Sequence, residues 1–261
     1  MADTPQTPYP RFPVARDLVR RDLGRALAAG WRDFAAHPVY GLFFGAIYVL
    51  GGLLTWYALV TKGATVWLIP LAAGFPLIAP FTAVGLYEVS RRREAGLPLN
   101  WKTVLGALRG RGDDQLLLMG GFIFVGFTFW IILAHGIFAI FAAELGPKGE
   151  SLAGLQTGMG LAMLGFGSVV GALVAFVFYA VTLISLPMLV DREVDLLTAI
   201  ITSLRAIQAN LAVLLVWAAF IAMALFAAMI PAFLGLLVVL PVLGHATWHL
   251  YRRAVSEAPV P

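Results

Sequence analysis

The sequence has no cysteine in its 261 residues, and Asp, Glu, Lys and Arg together make up only 12% of it. Without a thiol there is no disulfide, no thiolate metal site and no cysteine nucleophile. With so few charges the chain cannot dress the surface of a soluble domain of this length, where about 25% of residues are charged and 45–50% apolar. Motifs that carry chemistry are also missing: there is no HExxH, no GxSxG and no glycine-rich phosphate loop. No acid–base pair or nucleophile constellation can be assembled, so the chain is not expected to be an enzyme, and no cofactor is expected. The first 36 residues are polar, which argues against a cleavable signal peptide.

What is present is apolar: 61% of the residues are hydrophobic. An α-helix needs about 20 such residues in a row to cross about 30 Å of hydrocarbon. Six passes are predicted: Val39 to Val60, Val66 to Val89, Leu116 to Ala142, Gly158 to Val190, and two within the apolar segment Leu211 to Tyr251. That last segment is about twice as long as one crossing requires, so a hairpin turning near Pro231 is expected. The fourth pass exceeds a bilayer crossing and is expected to tilt, protrude or bend near Pro187.

The net charge of +4 and a pI near 9.6 would suggest nucleic acid in a soluble protein. Here the placement of the basic residues gives a different reading, and no nucleic-acid partner is expected. Of the 18 Lys and Arg, only Lys62 and Lys148 fall in loops on one side of the predicted passes. The rest cluster before the first pass, after the second, after the fourth and after the sixth. By the positive-inside rule both termini are cytoplasmic, as an even number of passes requires.

Three short stretches repeat one pattern: ALAAGWR (Ala26–Arg32), TVLGALR (Thr103–Arg109) and AIITSLR (Ala199–Arg205). Each ends in an arginine about seven residues before a pass. Apolar residues recur around them at helical spacing, as at Leu23, Leu27, Trp31 and Phe34, or Leu197, Ile200, Ile201 and Leu204. Such helices lie in the membrane interface. The predicted fold is an all-α membrane protein with six transmembrane helices arranged as three hairpins, each preceded by an interfacial amphipathic helix. Residues 1–16, rich in proline, read as a disordered cytoplasmic tail, 17–255 as the transmembrane domain and 256–261 as a second cytoplasmic tail. Asn100, Asp113 and Asp195 precede helical runs and suit N-caps.

The blocks GWRDFAAHPVYGLFFGAIY, GFPLIAPFTAVGLYEVSRRREAG and SLPMLVDREVDLLTAIITSLRAI resemble the signature blocks of an uncharacterised bacterial family of predicted integral membrane proteins, a domain of unknown function. The resemblance runs from about Asp17 to Tyr251. It implies a location in the bacterial inner membrane and carries no catalytic residues.

Candidate site residues follow from what polar groups remain. Glu88 is the carboxylate nearest the hydrocarbon, with Arg91 and Arg92 at i+3 and i+4 in reach to pair with it. An interfacial ion pair is the favoured reading over a proton or cation site. Tyr87 and His135 join Glu88, Arg91 and Arg92 as the candidate binding residues. His245 and His249 share one helix face, and His37 lies at the same side; they are weak metal candidates, since a site needs three or four ligands with support behind them. Arg32, Arg93, Arg109, Arg205, Arg252 and Arg253 are the candidate contacts to anionic lipid headgroups, worth about 1 kcal/mol for each basic residue near the surface. The glycine pairs Gly41/Gly45, Gly154/Gly158 and Gly167/Gly171 suit close helix packing. Pro70, Pro76 and Pro80 break the second pass, either as a kink met by its neighbours or as an unwound wall of a cavity.

Two classes of function fit. The first is a scaffold, assembly or accessory factor whose partners are membrane lipids, another membrane protein or a second copy of the chain. The second is a transporter or channel for a small or apolar solute.

Overall fold

A computed structural model describes residues 12–63, 67–72, 83–107, 114–145 and 152–255. The regular elements among the described residues are all helices, with one isolated β-bridge between Val14 and Val255. In chain order the helices are α1 (Arg20–Ala36), α2 (Pro38–Thr61), α3 (Val84–Glu94), α4 (Trp101–Gly106) and α5 (Gln115–Leu145). They continue with α6 (Leu152–Leu155), α7 (Gly158–Asp191), α8 (Leu196–Ala209), α9 (Leu211–Met229) and α10 (Leu236–Ala254).

Four of these are long and apolar enough to cross a membrane: Pro38–Thr61, Gln115–Phe141, Gly158–Asp191 and Leu211–Met229. They coincide with the predicted first, third, fourth and fifth passes. The predicted second pass includes Pro76, Pro80 and their neighbours, which lie outside the described residues; its C-terminal part is α3. The predicted sixth pass is α10, and it does not qualify on composition. Its second half carries His245, His249, Arg252 and Arg253, and it is the least lipid-like and most enclosed of the long helices. The hairpin turn near Pro231 is present: α9 stops at Met229 and α10 starts at Leu236, with Ala232 and Phe233 at positive φ between them. α7 runs through Pro187 as one helix of 34 residues.

α10 is the centre of the packing. α1 lies along it, α2 crosses it, and α3, α7 and α9 touch it. The close approach depends on glycine. A Cβ on Gly30 would sit 2.6 Å from the backbone nitrogen of Ala246, and one on Gly45 would sit 2.9 Å from the Cα of Leu237. Only a residue without a side chain lets α1 and α2 lie backbone to backbone on α10. Gly41, the partner of Gly45, faces Phe34 and Pro241 in the same seam. On the other side of the molecule Gly171 of α7 receives the Trp130 ring of α5. The remaining predicted pair does not act this way, because Gly158 has open space around it.

The third repeat helix departs from its predicted face. α8 buries Thr198, Ala199, Thr202, Ser203, Ala206 and Ile207 against α7 and leaves Leu197 and Leu204 outside. In water the leucines would face inward; beside lipid they gain nothing by burial, and the small polar face packs closer and bonds across. The Ser203 hydroxyl donates to Ala180 O at 2.6 Å and accepts from Ile184 N at 3.2 Å, so it bridges a rung of α7. That rung lies just before Pro187, whose missing N–H already weakens the local ladder. Asn100 and Asp195 cap α4 and α8 as expected, accepting from Thr103 N and Thr198 N at 2.9 Å each. Asp113 lies outside the described residues.

The two ends of the described chain meet. Ala15 N donates to Ala254 O at 2.9 Å, and the Asn210 side chain ties the same segment by accepting from Leu18 N and donating to Ala15 O.

Candidate functional site

Two places concentrate chemistry: a polar cluster at the end of the bundle where α1, α3 and α10 meet, and a cavity within the apolar region.

The cluster is built on Asp33. One turn after Gly30, Asp33 faces the same seam, so the glycine that admits α10 also presents the carboxylate to it. Its Oδ2 accepts from the Ser90 hydroxyl of α3 at 2.6 Å and from His249 Nε2 of α10 at 2.8 Å, and its Oδ1 accepts from Arg93. Ser90 Oγ also lies 2.8 Å from His245 Nδ1. A serine has one proton, and donating it to Asp33 leaves its oxygen to accept from the His245 Nδ1–H. The other ring nitrogen, Nε2, is fully buried and has no hydrogen-bond partner. Burial alone would raise the Asp33 carboxyl. The bonds from His249 and Ser90, with both imidazoles close by, outweigh it and hold the carboxyl below the ordinary aspartate value.

Around this hub the remaining charges interlock. Arg91 forks onto Glu88 with both bonds at 2.7 Å, and Arg92 adds a third at 3.3 Å. Glu88 is thus ion-paired with Arg91 and Arg92, and the pair is largely buried. Glu94 accepts from the Trp248 indole at 2.9 Å and pairs with Arg252. Tyr251 donates to Asp191 and accepts from Arg192, both at 2.8 Å. Helices α3, α7 and α10 are thus tied at one level.

The histidine candidates do not form a ligand set. His245 and His249 converge, but on Ser90 and Asp33, and His37 sits at the α1–α2 junction with its backbone N–H bonded to Asp33 O and Phe34 O. Among the described residues no group of three or more His, Cys, Asp and Glu is arranged to hold a metal ion. His135 lies at the far end, stacked on Trp67 with ring centres 3.9 Å apart, its Nδ1 2.9 Å from Ile131 O. Of the headgroup candidates, Arg32 is exposed and Arg205 half-buried. Arg93, Arg252 and Arg253 are ion-paired, the last with Asp17 and Asp22, and Arg109 lies outside the described residues.

Asp33 and Ser90 were not among the sequence candidates. A signal for Asp33 exists in the three-residue spacing from Gly30, which marks the buried face, but it is readable only once α10 is known to lie there.

The cavity lies between α5, α7, α9 and α10 and has a volume of about 630 Å³, within the usual range for ligand pockets. Trp130, Ala172, Ala175, Ala222, Leu225 and Leu243 are typical of its walls, and among the described residues no Asp, Glu, Lys or Arg lines it. Leu215 and Phe226, at its edge, are exposed on the outer face of α9. Most of its hydroxyls are engaged: Tyr179 donates to Leu214 O, Thr182 to Phe178 O and Thr247 to Leu243 O. Tyr87, one of the sequence candidates, is only 3% exposed and lines the cavity; its backbone N–H donates to Ala83 O, while its hydroxyl makes no hydrogen bond among the described residues.

Long apolar helices around an enclosed polar end define a multi-pass integral membrane protein. Residues 68–191, just under half of the chain, are similar to a family described as predicted integral membrane protein (DUF2189). The match is shorter than the resemblance from Asp17 to Tyr251, leaving out α1, α2 and everything after α7. No curated protein and no solved structure matches the chain.

Proposed function

We propose that the protein is a non-catalytic scaffold, assembly or accessory factor of a bacterial inner membrane, with six passes in three hairpins and both termini in the cytoplasm. The observation that carries this reading is the fate of the charges. The buried carboxylates Asp22, Asp33 and Glu88 all have arginine partners, and none projects into the cavity. Ion-coupled carriers and pumps keep an ionisable residue within the membrane as a proton or ion site. Here the charges lock helices together at one end, while broad apolar faces of α5, α7 and α9 point outward, as at Leu118, Phe124, Leu173 and Met223. Those faces suit lipid or other transmembrane helices. The pairing of Val14 with Val255 supports an even number of passes, because it holds the two ends on one side.

The test is purification in mild detergent at native expression, followed by mass spectrometry of what accompanies the chain. A stoichiometric membrane-protein partner is the expected result. A second reading, a transporter for a small or apolar solute, is favoured by the cavity. A chain that purifies alone and moves such a solute across liposomes would replace the first reading with the second.

A further inference from the structure

We infer that the cavity between α5, α7, α9 and α10 is a binding site for one fatty-acyl chain, whose carbonyl oxygen accepts a hydrogen bond from Tyr87. The site stands whether the protein is an accessory factor or a carrier, because it depends only on the cavity and its lining.

The shape points to a chain. On α7 the lining positions recur at helical spacing from Met163 to Leu183. At 1.5 Å per residue that stripe is roughly 30 Å long, about the thickness of the whole hydrocarbon core and twice the depth of one leaflet. A straight chain entering from the charged end has room without folding. The stripe is hollow because α7 supplies Gly167, Ala172 and Ala175 where larger side chains would close it. The chemistry of the walls points the same way: among the described residues no charged side chain lines the space, and the open edge at Leu215 and Phe226 faces outward, toward the acyl chains of the bilayer.

Tyr87 supplies the polar end. A phenol that faces an apolar cavity without a partner forgoes a hydrogen bond, and an acceptor on a ligand supplies it. Thr182, Thr247 and Tyr179 have already spent their protons on carbonyls, so among the described residues Tyr87 is the buried hydroxyl on the cavity wall without such a bond. What it needs is an acceptor, and an ester or carboxyl oxygen at the head of an acyl chain is one. Tyr87 also stands one turn before Arg91 on α3, at the depth where the chain of a lipid gives way to its headgroup.

Two sources carry this chemistry, a phospholipid and a free fatty acid. The full chain is reconstituted in lipid nanodiscs with a phosphatidylethanolamine bearing a diazirine on one acyl chain, or with the corresponding free diazirine fatty acid, then irradiated and mapped by peptide mass spectrometry. Adducts on Ala172, Phe176 or Ala222 are expected, competed by unlabelled lipid of the same kind. Labelling by the phospholipid assigns that source, and labelling by the acid alone assigns the other; both support the site. Tyr87→Phe keeps the shape and removes only the hydroxyl, and is expected to weaken competable labelling about fivefold, the equivalent of one net hydrogen bond. Ala222→Phe, which fills the space, is expected to abolish it with the thermal transition retained. Adducts spread evenly over the lipid-facing exterior, or labelling unchanged in both variants, would overturn the proposal.

Discussion

Asp33 shows how one side chain can hold three helices. It collects Ser90 and Arg93 from α3 and His249 from α10 while sitting on α1. Its carboxyl is held below its ordinary value, so the folded state favours the charged form. A depressed carboxyl contributes stability above its unfolded-state value, and that contribution is lost as pH falls through the folded value. Thermal unfolding followed from neutral to acidic pH should show stability falling at the acid end. Asp33→Asn should start less stable at neutral pH and depend less on pH there. Glu88 is the second test at this scale. Its pair with Arg91 is nearly enclosed, and removing one partner strands the other. Glu88→Ala should cost about 3 kcal/mol and Glu88→Gln about 1 kcal/mol, since the amide keeps part of the hydrogen bonding. If chemical denaturation gave equal small losses for both, the pair would be a surface contact in energetic terms.

Among elements, the α7–α8 and α1–α10 contacts use different means. α8 meets α7 through a small polar face, with Ser203 inserted at the Ala180–Ile184 rung. Ser203→Ala leaves that rung without its bridge and should lower stability by about 1–2 kcal/mol, measured by thermal unfolding. α1 meets α10 through Gly30. Any side chain there meets the Ala246 and Val242 backbone, which cannot yield as a rotamer can. Gly30→Leu should therefore release α1, and limited trypsin digestion should then cut at Arg20, Arg21 and Arg25 while leaving α7 and α9 intact. Protection equal to that of the parent chain would place the α1–α10 seam elsewhere.

At the scale of the molecule the expectation is topological. The ends meet at Val14 and Val255, and the clusters of Asp33, Glu88, Glu94 and Asp191 gather at that same end. Reporter fusions at the two termini should both read cytoplasmic. A periplasmic reading at the C-terminus alone would require an odd number of passes and overturn the proposed six. The fold at this scale also explains why α10 is less apolar than its neighbours. It is enclosed by protein instead of lipid, so His249 and Arg252 can be carried on it where α1 and α3 offer Asp33 and Glu94 as acceptors.

The sequence by itself determined the helical membrane class, the extents of α2, α5, α7 and α9, the turn at Pro231, the caps at Asn100 and Asp195, and the Glu88 pair with Arg91 and Arg92. These are properties of neighbours along the chain: run length, helical spacing, and residues three or four apart. The tertiary structure alone decided that α8 turns its small face inward, that Gly30 sets Asp33 against His249 and Ser90, and that Tyr87 is left facing a cavity. Each joins residues far apart in the chain, such as Asp33 with His249 or Ala180 with Ser203, and no local pattern specifies such a meeting. Periodicity also could not tell which side of a helix faces lipid, because a leucine there gains nothing from burial; helix contacts then follow small side chains and hydrogen bonds instead of the apolar stripe.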